Sequence, residues 1–243
     1  MPKPCILLTG AAGGVGQLLL PGLVESYDVV LTDRVPAPGM VTGDLADPDF
    51  LAKVTSGVDS IIHLAANPDA GATWDELRTP NVDVVASILA TEVPRVVLAS
   101  SVHVMGAYAG HRQVPVDPDW APAPCCAYGA TKALAEALAR VRAYQTGRSV
   151  VALRLGATSA EPGDVTALAG WLGPADLQQL VVRALEADVT FAVCHGVSAN
   201  TRSDWLVRNP IGYEPVLDSE DYADQVPVDD YWALCSPGGR TPR

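Results

Sequence analysis

A tyrosine and a lysine stand four residues apart, as Tyr128 and Lys132, near the start of an alanine-rich segment. If this segment is helical, positions i and i+4 lie on one face, so the phenol and the ammonium point the same way. An ammonium beside a phenol favours the phenolate and is expected to lower the pKa of the tyrosine. Such a tyrosine can take a proton from an alcohol or return one to a ketone oxygen. The pair indicates acid–base chemistry at a carbon–oxygen bond, although the string Y-x-x-x-K alone is common.

A serine pair, Ser100 and Ser101, closes an apolar run that is typical of a buried parallel strand. Ligands of open α/β sheets bind beyond the carboxyl ends of the strands. A serine hydroxyl at this place can hold a substrate oxygen beside the tyrosine. The order of these groups along the chain strengthens the interpretation of Tyr128 and Lys132.

A glycine-rich segment follows the first apolar run and reads T-G-A-A-G-G-V-G. The spacing T-G-x-x-G-x-x-G between a strand and an amphipathic helix predicts a turn that binds a dinucleotide. Its glycines allow a tight turn, a close approach of the backbone to a pyrophosphate, and close packing of helix on strand. The residues that this motif assigns to the cofactor are Gly10, Ala12, Gly13, Gly14, Val15 and Gly16.

Residues at the end of the second predicted strand, and a short segment after it at 43–45, bear on the choice of cofactor. Asp33 ends the second strand, where a carboxylate accepts hydrogen bonds from an adenosine ribose and repels a 2′-phosphate. NAD is therefore favoured over NADP, although Arg34 is a residue that could accept a phosphate. Asp44 is placed to meet the adenine amino group, with Leu45 against the ring. A turn or capping role for Asp44 is the alternative.

Predicted strands and helices alternate along most of the chain. The strands are expected at 4–9, 29–32, 60–64, 95–100, 150–155 and 190–194, and the helices at 14–25, 47–54, 77–90, 127–144 and 174–187. This alternation predicts an α/β fold with a Rossmann-type, doubly wound parallel sheet flanked by helices. Residues 106–126, rich in proline and glycine, are expected to form a long functional loop.

Length, charge and cysteine content set further bounds. The chain has 243 residues, which is compatible with one domain, made of a dinucleotide-binding core at 1–155 and a compact substrate-side extension at 156–243. A net charge of −12 argues against nucleic acid and membrane surfaces as partners, so a small molecule is the expected one. The five cysteines show no C-x-x-C spacing, and neither a disulfide framework nor a metal site is predicted. A cytoplasmic location is expected.

The chain resembles the extended short-chain dehydrogenase/reductases from Ile6 to about Leu155, through the motifs quoted above together with D-L, H-L-A-A and S-S. The resemblance implies that Ser101 orients the substrate oxygen, Tyr128 is the acid/base and Lys132 binds the nicotinamide ribose. It implies that Asn81 holds a water of the proton relay. It also implies a homodimer formed through helices 77–90 and 127–144. Further cofactor contacts implied are Leu64, Ala65, Ala66, Asn81, Ser100, Tyr128 and Lys132. For His63, in the same strand, a merely buried histidine is the alternative.

Three stretches, S-S-V-H, W-L-G-P-A-D at 171–176 and G-V-S-A-N-T at 196–201, resemble uronate dehydrogenases. Those are compact NAD enzymes that oxidise the anomeric carbon of a sugar acid to a lactone. Val102 and Ala157 depart from that family's asparagine and serine. Thr166 lies near the place of its carboxylate-binding arginine, in a stretch without Arg or Lys. We therefore predict a less polar pocket and an uncharged substrate. The expected substrate contacts are Pro68, Ser101, Val102, His103, Tyr128, Ala157 and Thr166.

Two alternatives to a dehydrogenase remain open from the sequence. The enzyme could use bound NAD for an epimerase, dehydratase or biosynthetic tailoring reaction with no net redox change. The chain could also be a non-catalytic NAD-binding sensor, although an intact serine, tyrosine and lysine set argues against that function.

Overall fold

The computed structural model of the protein describes residues 2–111 and 113–227. The strands are β1 (Cys5–Thr9), β2 (Asp28–Asp33), β3 (Met40–Thr42), β4 (Ser60–His63), β5 (Arg95–Ser101), β6 (Ser149–Leu155), β7 (Ala157–Thr158), β8 (Trp171–Leu172) and β9 (Phe191–Gly196). Seven of them form one parallel sheet in the order β3-β2-β1-β4-β5-β6-β9, and β7 pairs with β8 separately. The order reverses between β1 and β4, which is where such sheets bind ligands. The predicted Rossmann-type fold is confirmed.

Helices cover both faces of the sheet, because its buried strands alternate apolar side chains to either side. They are α1 (Gly14–Leu19), α2 (Pro48–Thr55), α3 (Trp74–Arg78), α4 (Val84–Ala90), α5 (Gly106–Gly110), α6 (Ala127–Thr146) and α7 (Pro174–Glu186). Leu8 and Ile62 pack with α1 and α7 in one apolar cluster. Leu7 and Ile61, their neighbours in the strands, pack with α2, α4 and α6 in the other. None of the helices among the described residues has the length and apolar character needed to cross a membrane.

Two predicted helices differ from the structure. The helix expected at 14–25 ends at Leu19 and continues as a 3₁₀ turn, Leu20–Gly22, because Pro21 cannot donate to the α-helical ladder. The helix expected at 77–90 starts earlier, where Thr73 and Glu76 form a reciprocal capping box. It is then interrupted by a π-helical turn over Thr79–Asp83.

The long loop expected at 106–126 also differs, because its first five residues form α5. The segment from Gln113 to Cys126 follows, with Val116 bridged to Trp205 beyond β9. This segment leads directly into α6.

Helix α6 carries the tyrosine and the lysine and packs unusually closely on the residues after β5. It ends as predicted at Gly147, whose φ of +70° is in the left-handed region. At its start, a Cβ on Gly129 would lie only 2.5 Å from the carbonyl oxygen of His103. A glycine at 129 therefore lets the first turn of α6 approach the 3₁₀ turn Val102–Met105. This approach brings Tyr128 to the end of β5.

Gly129→Ala is expected to push the first turn of α6 away from His103, since a methyl group has no room there. We expect a loss of about 1–3 kcal/mol in the free energy of unfolding and weaker binding of NADH. Urea unfolding and titration of NADH fluorescence measure the two effects. The matched control is Gly147→Ala, which strains the left-handed cap by about 1 kcal/mol but meets no atom within 4 Å. Equal loss of NADH affinity in both variants would contradict the expectation.

Candidate active site

A cavity of about 950 Å³ opens at the carboxyl ends of the strands and is where nearly all predicted site residues meet. Those that line it from the cofactor set are Gly10, Ala12, Gly13, Gly14, Val15, Gly16, Asp33, Arg34, Asp44, Leu45, Leu64, Ala65, Ala66, Ser100, Tyr128 and Lys132. Those from the substrate set are Pro68, Ser101, Val102, His103, Tyr128 and Ala157. Two predicted residues, Asn81 and Thr166, do not line it.

The glycine-rich turn between β1 and α1 leaves its backbone open to the cavity. Gly10 has a φ of +69°, and a Cβ there would lie 2.7 Å from the backbone nitrogen of Ala65, so the two walls of the cavity touch at this point. A Cβ on Gly14, in contrast, would meet no atom within 4 Å. The space beside the turn therefore accommodates a pyrophosphate, and the residues present fit a dinucleotide cofactor.

Asp33 is held at the rim of this cavity by backbone amides. Its Oδ2 accepts from Ala12 at 3.0 Å and its Oδ1 from Val35 at 3.0 Å. The carboxylate therefore has a fixed position at the end of β2, where an adenosine ribose would lie. Asp44 also lines the cavity, but its Oδ1 accepts from the amide of Ala46 at 2.9 Å. Asp44 thus has the turn role that was the alternative, while Asp47 caps α2, and the predicted contact of Asp44 with adenine stays a prediction.

Asp33→Asn removes the negative charge that would repel a 2′-phosphate and leaves a side chain of the same shape. We expect the ratio of the Kd for NADP to that for NAD to fall by about tenfold, equivalent to about 1.4 kcal/mol. Arg34, which also lines the cavity, is expected to supply the favourable charge. Isothermal titration with each cofactor measures the ratio. In the Asp33→Asn, Arg34→Ala double variant the gain should disappear; an unchanged ratio in the single variant would contradict the assignment.

His63 at the end of β4 is a buried neutral histidine, but the alternative of a buried ring with both nitrogens satisfied is met only in part, because its Nε2 has no hydrogen-bond partner among the described residues. The Thr9 hydroxyl accepts from the backbone amide of Ala65 at 3.2 Å and forms a hydrogen bond of 2.8 Å with His63 Nδ1. Burial lowers the pKa of His63 to about 3, so the ring is uncharged at neutral pH. Through Thr9, His63 helps to hold the cavity wall at Ala65.

Ser101 and Tyr128 meet at the end of β5. Ser101 and Tyr128 both line the cavity, and the Ser101 oxygen accepts from the amide of His103 at 3.2 Å. Burial raises the pKa of Tyr128 above its ordinary value, and the nearby Ser101 hydroxyl opposes this. The expected lowering of this pKa by Lys132 is therefore not what the protein alone shows, because removing the phenolate from water outweighs nearby stabilising groups.

Lys132 is buried one helical turn after Tyr128. Its Nζ donates to the carbonyl oxygen of Ala99 at 2.9 Å and lies 5.7 Å from the centroid of the Tyr128 ring. Burial lowers the pKa of Lys132 to about 8, and the Glu136 carboxylate acts in the opposite direction. The side chain is therefore mostly an ammonium at pH 7, adjacent to the Tyr128 phenol.

Asn81 is fully buried behind the cavity wall, not in it. Its Oδ1 accepts from the amide of Asn67 at 2.8 Å, and its Nδ2 donates to the carbonyl of Asn67 at 3.0 Å. The Nδ2 group also lies 3.3 Å from the hydroxyl of Thr131. The side chain is thus fully engaged and does not contact the cofactor space as predicted. It clamps the wall segment that carries Pro68.

Thr166 was placed in the substrate pocket by its position in the sequence, and the structure contradicts this. Ala157 pairs with Trp171 where β7 meets β8, and the chain between them forms a separate excursion. Thr166 precedes the 3₁₀ turn Ala167–Ala169 in that excursion and does not line the cavity. The pairing of two short strands, invisible in the hydrophobic pattern, sets its position.

His103, Cys125 and Cys126 form a cluster that sequence spacing did not indicate. A ring nitrogen of His103 and the sulfurs of Cys125 and Cys126 lie within 4.8 Å of one another, and His103 also stacks edge-on against Tyr128 with centroids 5.4 Å apart. The Cys126 sulfur accepts from the amide of Gly129 at 3.3 Å and so caps α6. Burial lowers the pKa of His103 to about 4, which makes it neutral at pH 7. Cys235 lies outside the described residues.

The cavity also has lining residues that sequence reasoning missed. Several of these residues are next to a predicted residue in the chain, and that adjacency could have indicated them. Others lie on α3 and the π-helical turn, and only the packing of the folded chain brings them to the cavity. The missed residues are Val35, Gly43, Asn67, Asp75, Glu76, Thr79, Pro80, Val84, Ala99, Leu155, Gly156 and Thr158.

Residues 6–172, which include all the residues that line the cavity, match the model of the NAD dependent epimerase/dehydratase family. The chain belongs to this family. A uronate dehydrogenase of Pseudomonas syringae is 32% identical over 255 residues, covering 96% of this chain and 91% of that protein. An L-arabinose 1-dehydrogenase (NAD(P)(+)) of Haloferax volcanii is 33% identical over 214 residues, covering 76% of this chain and 83% of that protein.

A solved structure of a uronate dehydrogenase variant from Agrobacterium tumefaciens in complex with NAD superposes with a TM-score of 0.83. It is 26% identical and covers 92% of this chain and 89% of that one. As a member of the NAD dependent epimerase/dehydratase family with dehydrogenase relatives, the chain is an NAD-dependent oxidoreductase. The predicted family, cofactor and reaction class are confirmed.

Proposed function

We propose that this enzyme oxidises a hydroxyl-bearing carbon of an uncharged sugar, with Ser101, Tyr128 and Lys132 as its catalytic residues. The observation that carries the proposal is that Ser101, Tyr128 and the buried Lys132 line the same cavity as the glycine-rich turn, with the Lys132 Nζ 5.7 Å from the centroid of the Tyr128 ring. Residues 1–155 supply the glycine-rich turn and the trio. The region 156–243 adds Gly156, Ala157 and Thr158 to the substrate side.

The trio divides the proton chemistry among three groups. NAD, when bound, accepts the hydride from the substrate carbon. The Ser101 hydroxyl orients the substrate oxygen, and the phenolate form of Tyr128 takes the proton from that oxygen and becomes the neutral phenol. Because burial raises the pKa of Tyr128, the phenolate needs the ammonium of Lys132 close by before the proton is transferred. Lys132 also offers donors to the nicotinamide ribose.

The charge of the cavity favours a neutral substrate. The cationic side chains among the described lining residues are Arg34, beside Asp33 at the adenosine end, and Lys132, which is bonded to Ala99. His103 is neutral at pH 7, because burial lowers its pKa to about 4. The lining also includes the carboxylates Asp75 and Glu76. A buried sugar carboxylate would thus lack a positive partner, which is costly in a low-dielectric site.

A panel of sugars assayed with NAD at 340 nm tests this proposal. We expect turnover of neutral aldoses such as L-arabinose or D-galactose, and kcat/KM at least about tenfold lower for galacturonate and glucuronate, since one uncompensated charge outweighs 1.4 kcal/mol. Tyr128→Phe should lower kcat by about 10²–10⁴-fold without preventing NADH binding. Efficient oxidation of a uronate would refute the substrate class. Turnover of a substrate with no net NADH would instead favour an epimerase or dehydratase.

We also propose a homodimer that packs through α6. Its outer face carries apolar residues at helical spacing, all exposed: Ala130, Leu134, Ala137, Val141 and Tyr144. The three large side chains are 41%, 53% and 69% exposed, respectively for Leu134, Val141 and Tyr144. The adjacent outer face of α4 offers small residues, Ala86, Ser87 and Ala90, which allow close helix packing. A stripe of this kind supports an interface between copies of the chain.

Charged residues in the α6 stripe should separate the dimer. For Leu134→Glu combined with Val141→Glu we expect a monomer in sedimentation velocity at a concentration where the unchanged protein is a dimer. The control is Val216→Glu, which adds a charge at another exposed apolar residue, 73% exposed, away from this helix. A monomeric unchanged protein, or a dimer that survives both glutamates, would contradict the proposed interface.

A further inference from the structure

A buried ion pair adjoins the catalytic residues. Glu136 on α6 and Arg154 on β6 are only 5% and 3% exposed. Arg154 Nε and Nη2 donate to Glu136 Oε1 and Oε2 at 2.9 and 2.8 Å, so the contact has two parallel bonds. Taking two charges out of water is costly, and such a pair is often no more stabilising than apolar residues of the same volume. Its presence here is therefore poorly explained by stability alone.

The Glu136 carboxylate also binds the strand end that carries the substrate-orienting serine. The Ser100 hydroxyl donates to Glu136 Oε1 at 2.6 Å, and Ser100 is opposite Arg154 in the β5–β6 register. Ser100 immediately precedes Ser101. Glu136 itself follows Lys132 by one helical turn. One carboxylate thus joins the elements that supply the members of the trio: β5 for the serine and α6 for the tyrosine and the lysine.

A third contact of the pair reaches the segment that leads into α6. Arg154 Nη1 donates to the carbonyl oxygen of Pro118 at 3.0 Å. The residues on either side, Asp117 and Asp119, bind Arg208 at the surface. Arg154 therefore anchors this segment from the interior, while Arg208 holds it from outside.

We propose that Glu136, held by Arg154, is a positioning residue of the active site: it fixes Ser100 at the end of β5 and keeps the neighbouring Lys132 in its ammonium form. Neither residue reaches the cavity lining. They act through Ser100 and Lys132, which do. The inference rests on the proposed role of Lys132 in the site.

The charges around Lys132 assign the second role to Glu136. The titratable groups that face Lys132 are Tyr128 and Glu136 on α6 and His63 at the end of β4. His63 is neutral because burial lowers its pKa to about 3, and Tyr128 is neutral because burial raises its pKa. Glu136 is then the anion among these groups. Without it, no anion among these groups would oppose desolvation, and the pKa of Lys132 would fall further below its ordinary value.

The scarcity of lysine permits a direct test, because the chain contains only Lys3, Lys53 and Lys132. In protein labelled with ¹³C at the lysine ε-carbon, three signals are expected, and Lys3→Arg and Lys53→Arg identify the two that do not belong to Lys132. In the unchanged protein the Lys132 signal should titrate with a midpoint near 8. In Glu136→Gln we expect that midpoint to fall by about one pH unit or more. Glu136→Asp, which retains the charge on a shorter side chain, should restore part of the shift.

Binding of NADH provides the functional readout without any sugar substrate. Its Kd, measured by fluorescence between pH 6 and pH 10, should rise as Lys132 loses its proton, and this rise should begin at lower pH in Glu136→Gln. The matched control is Asp176→Asn. Asp176, on α7, is also a fully buried carboxylate. It accepts from the amides of Val216 and Leu217 and does not line the cavity. This variant should lose stability yet leave both midpoints unchanged.

Glu136→Gln leaves the Arg154 charge buried without its partner, so this variant could fail to fold. Glu136→Gln combined with Arg154→Met removes both charges, and the same fall in the Lys132 midpoint is expected there. An unchanged midpoint in a folded variant of either kind would overturn the proposal. If instead the NMR midpoint shifts while NADH binding stays independent of pH, the proposed role of Lys132 in cofactor binding fails and the electrostatic effect of Glu136 on Lys132 stands.

Discussion

The site depends on a cation that has been removed from water. Lys132 is buried, and burial opposes its charge, so the ammonium persists only through the Ala99 carbonyl and the nearby Glu136 carboxylate. Ala99 lies near the carboxyl end of β5, and Glu136 lies in the middle of α6 on its buried face. Three features keep the Lys132 ammonium beside the Tyr128 phenol: the register of the sheet, the close packing of α6 and the buried ion pair.

The contact between α6 and the end of β5 brings the tyrosine and lysine of the sequence motif next to the serine. Tyrosine and lysine share a helix face by their spacing alone, but the serine reaches them only because Gly129 allows the helix to approach His103. The thiol of Cys126 then caps that helix at the same point. A short stretch of chain therefore initiates the helix, packs it closely on the residues after β5 and places Tyr128 at the cavity.

The sequence predicted the sheet, the glycine turn and the trio because each depends on neighbours in the chain: apolar runs, fixed glycine spacing, or one turn of helix. Asn81 and Thr166 failed for the opposite reason. Their positions depend on a π-helical turn and on the pairing of β7 with β8, and neither leaves a periodic signal in the residues involved. Likewise, nothing in sequence spacing links Glu136 with Arg154, since their contact arises from helix packing on the sheet.

The π-helical turn between α3 and α4 has a structural consequence of its own. A π turn accommodates one residue more than a regular helical turn, and each residue of an α-helix advances by about 100° around its axis. The extra residue thus rotates everything before Thr79 relative to everything after Asp83. This offset lets α4 bury one face in the core while α3 presents Asp75 and Glu76 to the cavity. The π-helical turn therefore lets α3 face the cavity and α4 face the core, although the two helices are continuous in the chain.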